Sequence, residues 1–223
     1  MLKDLHLYLE ITCLFIALLF YKDLKRNTIM VYFIPFLFVT ALVEVSAKWI
    51  WSDRHEKFII FNIFTAAEFV FYSLIFRFHL TNKLLRYIII LLIPIYLLLF
   101  ILNVIFVQGI ASSFHSYTFL LGSFFMVVYS CFFLYESILP ESINVKLSHQ
   151  PFFWISIGLL IFYLGSVIIN ALVEYLTKSD FREQGIIIYT NITNSLNIIL
   201  YGSFSIAFIL CRNNRKTSSS PSL

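Results

Sequence analysis

Tyr87-Ile88-Ile89-Ile90-Leu91-Leu92-Ile93-Pro94-Ile95-Tyr96-Leu97-Leu98-Leu99-Phe100-Ile101-Leu102-Asn103-Val104-Ile105-Phe106-Val107 is an apolar run without a charged side chain. A helix needs roughly 20 such residues to cross a bilayer, and the run 84–107 supplies them. Six more segments read the same way: 5–20, 28–51, 58–79, 114–138, 151–176 and 186–210. Of the 223 residues, 60% are hydrophobic and 13% charged, with a mean hydropathy of +0.88. The connections are too short to house a soluble catalytic domain. The expected fold is all-α: a polytopic membrane protein of seven transmembrane helices, with a membrane domain over 1–211 and a short polar tail over 212–223.

The first run does not read as a cleaved secretory signal. Asp4 and Glu10 interrupt it, and Tyr21-Lys22-Asp23-Leu24-Lys25-Arg26 stands where a small-residue cleavage site is expected. An odd number of spans puts the termini on opposite sides, and lysine and arginine choose between them. With the N-terminus out, the inside holds Lys22, Lys25, Arg26, Arg77, Lys83, Arg86, Lys146, Arg212, Arg215 and Lys216. The outside holds Lys3, Lys48, Arg54, Lys57, Lys178 and Arg182. Ten against six favours N-out, C-in. The net charge of +4 then reports topology and contact with anionic membrane lipids, and calls for no nucleic-acid partner.

Polar residues inside the runs fall into two matching ladders. Ala41-Leu42-Val43-Glu44-Val45 is echoed by Ala171-Leu172-Val173-Glu174-Tyr175. Asn62, Thr65, Glu68 and Tyr72 are echoed by Asn191, Asn194, Asn197 and Tyr201 at the same spacing. The offsets, 130 and 129, differ by one loop residue, where insertions are tolerated. Each ladder keeps to one helical stripe, as do Tyr163, Ser166, Asn170 and Glu174. Polar groups at membrane depth face protein or water. In the N-out orientation most lie in the outer halves, so an outer vestibule above an apolar plug is expected. Its candidate lining is Glu44, Lys48, Asn62, Glu68, Tyr72, Asn170, Glu174, Asn191, Asn194, Asn197 and Tyr201. Simpler roles compete: Glu44 and Lys48 are one turn apart and placed to pair, and the asparagines can serve as interhelical hydrogen-bond glue. Glu68, without a basic residue within a turn, is the strongest functional candidate.

The ladders imply two units, about 5–79 and 114–210, joined by the linker helix 84–107. One intervening helix keeps both units in the same orientation, so the repeat is parallel. This 3+1+3 layout is similar to that of SWEET-type sugar transporters, although the Pro-Gln pair of that family is missing from the first and fifth runs. Microbial rhodopsins also have seven helices, but the last run here has no lysine for retinal. The stretch Phe152-Phe153-Trp154-Ile155-Ser156-Ile157-Gly158-Leu159-Leu160-Ile161-Phe162-Tyr163-Leu164-Gly165 resembles uncharacterised seven-helix membrane proteins of Bacteroidota. That resemblance implies a bacterial cytoplasmic (inner) membrane location and brings no ligand or catalytic residue.

No hydrolase or zinc motif occurs, and Cys13, Cys131 and Cys211 have no metal or disulfide spacing. No cofactor, metal or catalytic residue is therefore assigned. An intramembrane lipid-modifying enzyme would have to combine His115, flanked by Ser113 and Ser116, with Glu68. Ser116, Ser123, Ser130 and Ser137 recur every seven residues, as a packing stripe does. The leading expectation is a ligand-binding or sensing membrane domain for an unknown small molecule, acting through a cytoplasmic partner protein at the basic inner loops. The alternative is a transporter using Glu68 as its proton or cation site.

Overall fold

A computed structural model of the chain describes residues 5–26, 29–51, 53–139, 147–178 and 182–219; the side chains of 26, 173–178, 182–183 and 214–219 fall outside that description. Helices account for nearly all of it, and no strand occurs among the described residues: α1 (Leu5–Leu19), α2 (Tyr21–Arg26), α3 (Phe33–Trp49), α4 (Arg54–His79), α5 (Lys83–Phe106), α6 (Ser116–Ile138), α7 (Pro151–Lys178) and α8 (Arg182–Ser219). Six of these are long and apolar enough to cross a membrane. α1 has 15 residues, or about 22 Å at a rise of ~1.5 Å per residue, and belongs to the shorter apolar helices.

Local chemistry sets the helix ends. Asp53 starts α4 by accepting a hydrogen bond from His55 N–H at 3.1 Å, so α4 begins four residues before the apolar run. Asn82 caps α5 through Leu84 and Leu85 N–H. Pro35 falls in the first turn of α3, where a missing N–H costs nothing. Pro94 lies inside α5. α8 runs on to Ser219, past Arg212, where the short polar tail was expected to begin. Beyond Arg212 no glycine or proline occurs before Pro221, and an established helix extends at little cost.

The helices form a closed ring. α1 packs on α3, α3 on α4, α4 on α6, α6 on α7, α7 on α8, and α8 back on α1. α5 lies outside against α4 and α6, with 17% of its apolar window buried, compared with 44% for α8. Within the pairs α1–α3, α3–α4, α6–α7 and α7–α8 the helices run antiparallel, whereas α4–α6 and α8–α1 run parallel: His6 of α1 reaches Glu44 near the end of α3, and Phe152 of α7 meets Phe133 near the end of α6. Here the end at which α1, α4, α6 and α8 begin is called the upper end.

Large apolar side chains cover the outside, among them Phe15, Leu98, Ile105 and Phe124. That exceeds what a water-facing surface normally exposes and suits lipid. The buried face of α6 carries Ser123, Ser130 and Ser137, the seven-residue stripe, which thus serves close packing. The lower half of the core is aromatic. Phe33 packs on Phe71, Phe204 and Phe208 at 5.3–6.0 Å, and Phe76 sits between Tyr129 and Phe152. Edge-to-face contacts of this kind add to simple area burial.

Candidate functional site

The residue that organises the interior is Glu10. α1 buries Leu7, Glu10, Cys13 and Ala17, steps of three, three and four that mark one helical face, so the carboxyl is carried inward with the apolar residues around it. Glu10 is 0% exposed. It faces Glu44 of α3 and the Tyr201 hydroxyl of α8, with Glu68 of α4 within electrostatic reach. Neither of its oxygens closes a hydrogen bond of normal geometry among the described residues. Buried acceptors are rarely left so.

Glu44 links this interior to the surface. His6 Nε2 lies 3.6 Å from its Oε2, with each side chain about a quarter exposed. The two border a cleft of ≈ 340 Å³ at the upper end, flanked by Lys48, Lys57 and Phe61. One turn below His6 and Leu7, Glu10 sits behind the cleft floor. Deeper still, Glu68 faces the Tyr163 hydroxyl beside a void of ≈ 10 Å³ that Tyr96 and Ser123 help to enclose. Such a void is at the lower limit for a single water.

Below the carboxylates the path is closed. Tyr72, 1% exposed, packs edge-on against Tyr163 and Phe204, both at 6.3 Å, and Tyr201 meets Phe204 at the same separation. An acidic cluster therefore lies between a cleft at the upper end and an aromatic plug.

The residues expected in one cavity divide into groups. Glu44, Glu68, Tyr72 and Tyr201 converge as described, and Lys48 stands at the cleft rim, its ammonium 5.6 Å from the Trp49 ring. Asn62 does other work. Its Nδ2 donates to the carbonyls of Ile110 and Ser113 at 3.0 and 2.9 Å, and its Oδ1 accepts from His115 N–H at 2.9 Å. It thereby pins the α5–α6 connection to α4. Asn170 donates to Ser166 O on its own helix. Asn191 is exposed on α8, Asn197 is half-buried, and Asn194 is buried with no partner for Nδ2 among the described residues. Glu174 lies on α7 with its side chain outside the described residues.

His115 is likewise engaged in the α5–α6 connection. Its Nε2 is 3.1 Å from Gly109 O, and it is not part of the wall around Glu68. Among the described residues no three of the His, Cys, Asp and Glu side chains are placed to hold a metal ion.

Sequence reading treated Glu10 only as an interruption of an apolar run. The signal that could have found it was its place on a small-residue, inward-facing stripe, since an ionisable residue at membrane depth is a site candidate.

These features define an integral membrane protein of the α-helical, polytopic class. Comparison with protein-family models, curated proteins and solved structures finds no match to the chain.

Proposed function

We propose that this chain is a seven-helix, N-out protein of the bacterial inner membrane that binds a small molecule in the upper cleft and passes its occupancy to a cytoplasmic partner. The observation that carries the reading is the one-sided path: a cleft reaching Glu44, carboxylates Glu10 and Glu68 behind it, and a packed aromatic floor beneath. A ligand entering from above meets polar groups in a low dielectric, where each interaction counts for more than in water. The lower end is basic, with Lys22, Lys25, Arg77, Lys83, Arg86 and Arg212 near helix termini. Arg86 Nε donates to Arg77 O at 2.9 Å, and the Arg212 guanidinium lies 4.9 Å from the Phe20 ring. This surface suits both anionic lipid and an acidic partner protein. α1 acts as the seventh span, with α2 extending it to Arg26.

A single-cysteine experiment tests the reading. Glu44→Cys should react with a membrane-impermeant maleimide from outside intact cells, and Tyr72→Cys from neither face. Reaction of Tyr72→Cys from both faces in turn, in cells and in inverted vesicles, would replace sensing with transport.

One observation favours that second reading. The α1·α8 contact is matched by an α4·α6 contact, with α5 to one side. A two-fold axis relating α1, α3 and α4 to α6, α7 and α8 requires such a pairing, as in repeat-built transporters. In that mechanism Glu68 is the proton or cation site and the aromatic floor is the inner gate.

A further inference from the structure

We infer that the upper cleft takes a zwitterion of amino-acid size, its ammonium group on Glu44 with Glu10 behind, and its carboxylate on Lys57. The inference rests on the cleft being a ligand site, as proposed above, and adds the chemistry of the occupant. The walls differ in sign. On the α1–α3 side stand Glu44 and, behind it, the fully buried Glu10. Lys57 of α4 borders the same space, with Lys48 at the rim. A simple anion entering the cleft would meet Glu44, and a dication would meet the lysines. A molecule carrying one charge of each sign, a few bonds apart, is matched at both ends.

Two further observations point to an ammonium group at the acidic end. Glu10 is aimed at Glu44, and neither of its oxygens closes a hydrogen bond of normal geometry among the described residues, so the acidic pair has room for further donors. An ammonium brings three N–H donors on a point charge. A metal ion is the poorer match, because no three ligating side chains converge among the described residues. His6 Nε2, at 3.6 Å from Glu44, is beyond good hydrogen-bond distance and can be displaced by a stronger donor. The volume, ≈ 340 Å³, is near the lower end of the ~300–1,000 Å³ typical of ligand pockets. Leu7, Ala47 and Phe61 supply apolar wall for a side chain.

The test is calorimetry on the full chain in lipid nanodiscs, with L-alanine, L-leucine and L-phenylalanine, each against its C-terminal amide and its N-acetyl derivative. At least one free amino acid should bind. Its amide and its N-acetyl form should each bind roughly tenfold or more weakly, the loss of one charge-assisted contact. Lys57→Gln should abolish the preference for free acid over amide, and Glu44→Gln should abolish the preference for free amine over N-acetyl. The comparison of derivatives on the unaltered protein stands even if a variant fails to fold. Equal binding of acid and amide, or Lys57→Gln leaving the preference intact, overturns the inference. If none of the probes binds while Glu44→Cys is labelled from outside, the cleft is open and the zwitterion assignment is wrong. If Glu44→Cys is labelled from neither face, the cleft reading itself fails.

Discussion

Asn62 offers the sharpest test of how the interior is put together, because its amide is fully engaged and fully buried. Replacing it with alanine removes two donors from the carbonyls of Ile110 and Ser113 and one acceptor from His115 N–H. A neutral hydrogen bond contributes about 0.5–1.5 kcal/mol net, and side-chain bonds between membrane helices average nearer ~0.6 kcal/mol. Three of them give a cost of about 2–3 kcal/mol. In a chain of this length that corresponds to a fall of roughly 5–10 °C in Tm. Asn62→Asp discriminates further, since it is almost isosteric. It keeps the acceptor for His115 but sets a carboxylate oxygen against two carbonyl oxygens, and it buries a charge. Its cost should reach about 3–5 kcal/mol, more than that of alanine. Thermal unfolding in detergent measures both. In parallel, Ser112→Cys in the exposed connection should react faster with maleimide once Asn62 is replaced. An Asn62→Asp protein as stable as the unaltered one would refute the assignment, as would an Asn62→Ala protein that melts normally but no longer binds ligand.

Other expectations follow from particular contacts. A Cβ on Gly158 would stand 2.7 Å from Ser203 Cβ, whereas one on Gly165 would meet the δ-carbons of Leu196 at 2.5 and 2.9 Å. Ser203 Cβ moves only with its backbone, while Leu196 can change rotamer. Gly158→Ala should therefore cost about 1–3 kcal/mol and Gly165→Ala less, as read by unfolding in detergent. The Glu136 carboxylate accepts from Thr81 N–H, Thr81 Oγ1 and Asn82 N–H at 2.7–3.0 Å, tying α6 to the α4–α5 turn. Glu136→Ala should lower stability by roughly 1–2 kcal/mol, because the site is exposed and its bonds compete with water. Glu10→Gln, by contrast, keeps the shape of the side chain and takes one carboxyl out of a buried cluster of three, so its Tm should equal or exceed that of the unaltered protein. A large destabilisation would mean that Glu10 is held by a positive partner.

The helical architecture was legible because apolar runs of spanning length leave few alternatives, and six of the expected segments are helices of spanning length. Helix ends were less so. They depend on single caps such as Asp53, which lies outside the apolar run it starts. The polar stripes identified Glu44, Glu68, Tyr72 and Tyr201 because a period near 3.6 fixes which side chains share a face. Spacing could not identify what each side chain meets across the bundle. Asn62 shares its stripe with Glu68, yet its partners are backbone carbonyls of a loop about fifty residues away, which leave no trace in side-chain pattern. Glu10 was passed over for the opposite reason: it has no counterpart in the second ladder, so the repeat drew attention away from it.

The central claim is that Glu10 and Glu44 face one another beneath the cleft, and a double-cysteine cross-link addresses it directly. Glu10→Cys and Glu44→Cys are combined in a background with Cys13, Cys131 and Cys211 replaced, and the membranes are treated with copper phenanthroline. Mass spectrometry of the purified chain should show the loss of two hydrogens and a disulfide-linked peptide pair. The control pair, Tyr8→Cys with Glu44→Cys, should stay reduced, because Tyr8 points outward from the bundle. Failure of the first pair to link, or equal linking of the control, would contradict the buried carboxylate cluster and the ligand site built on it.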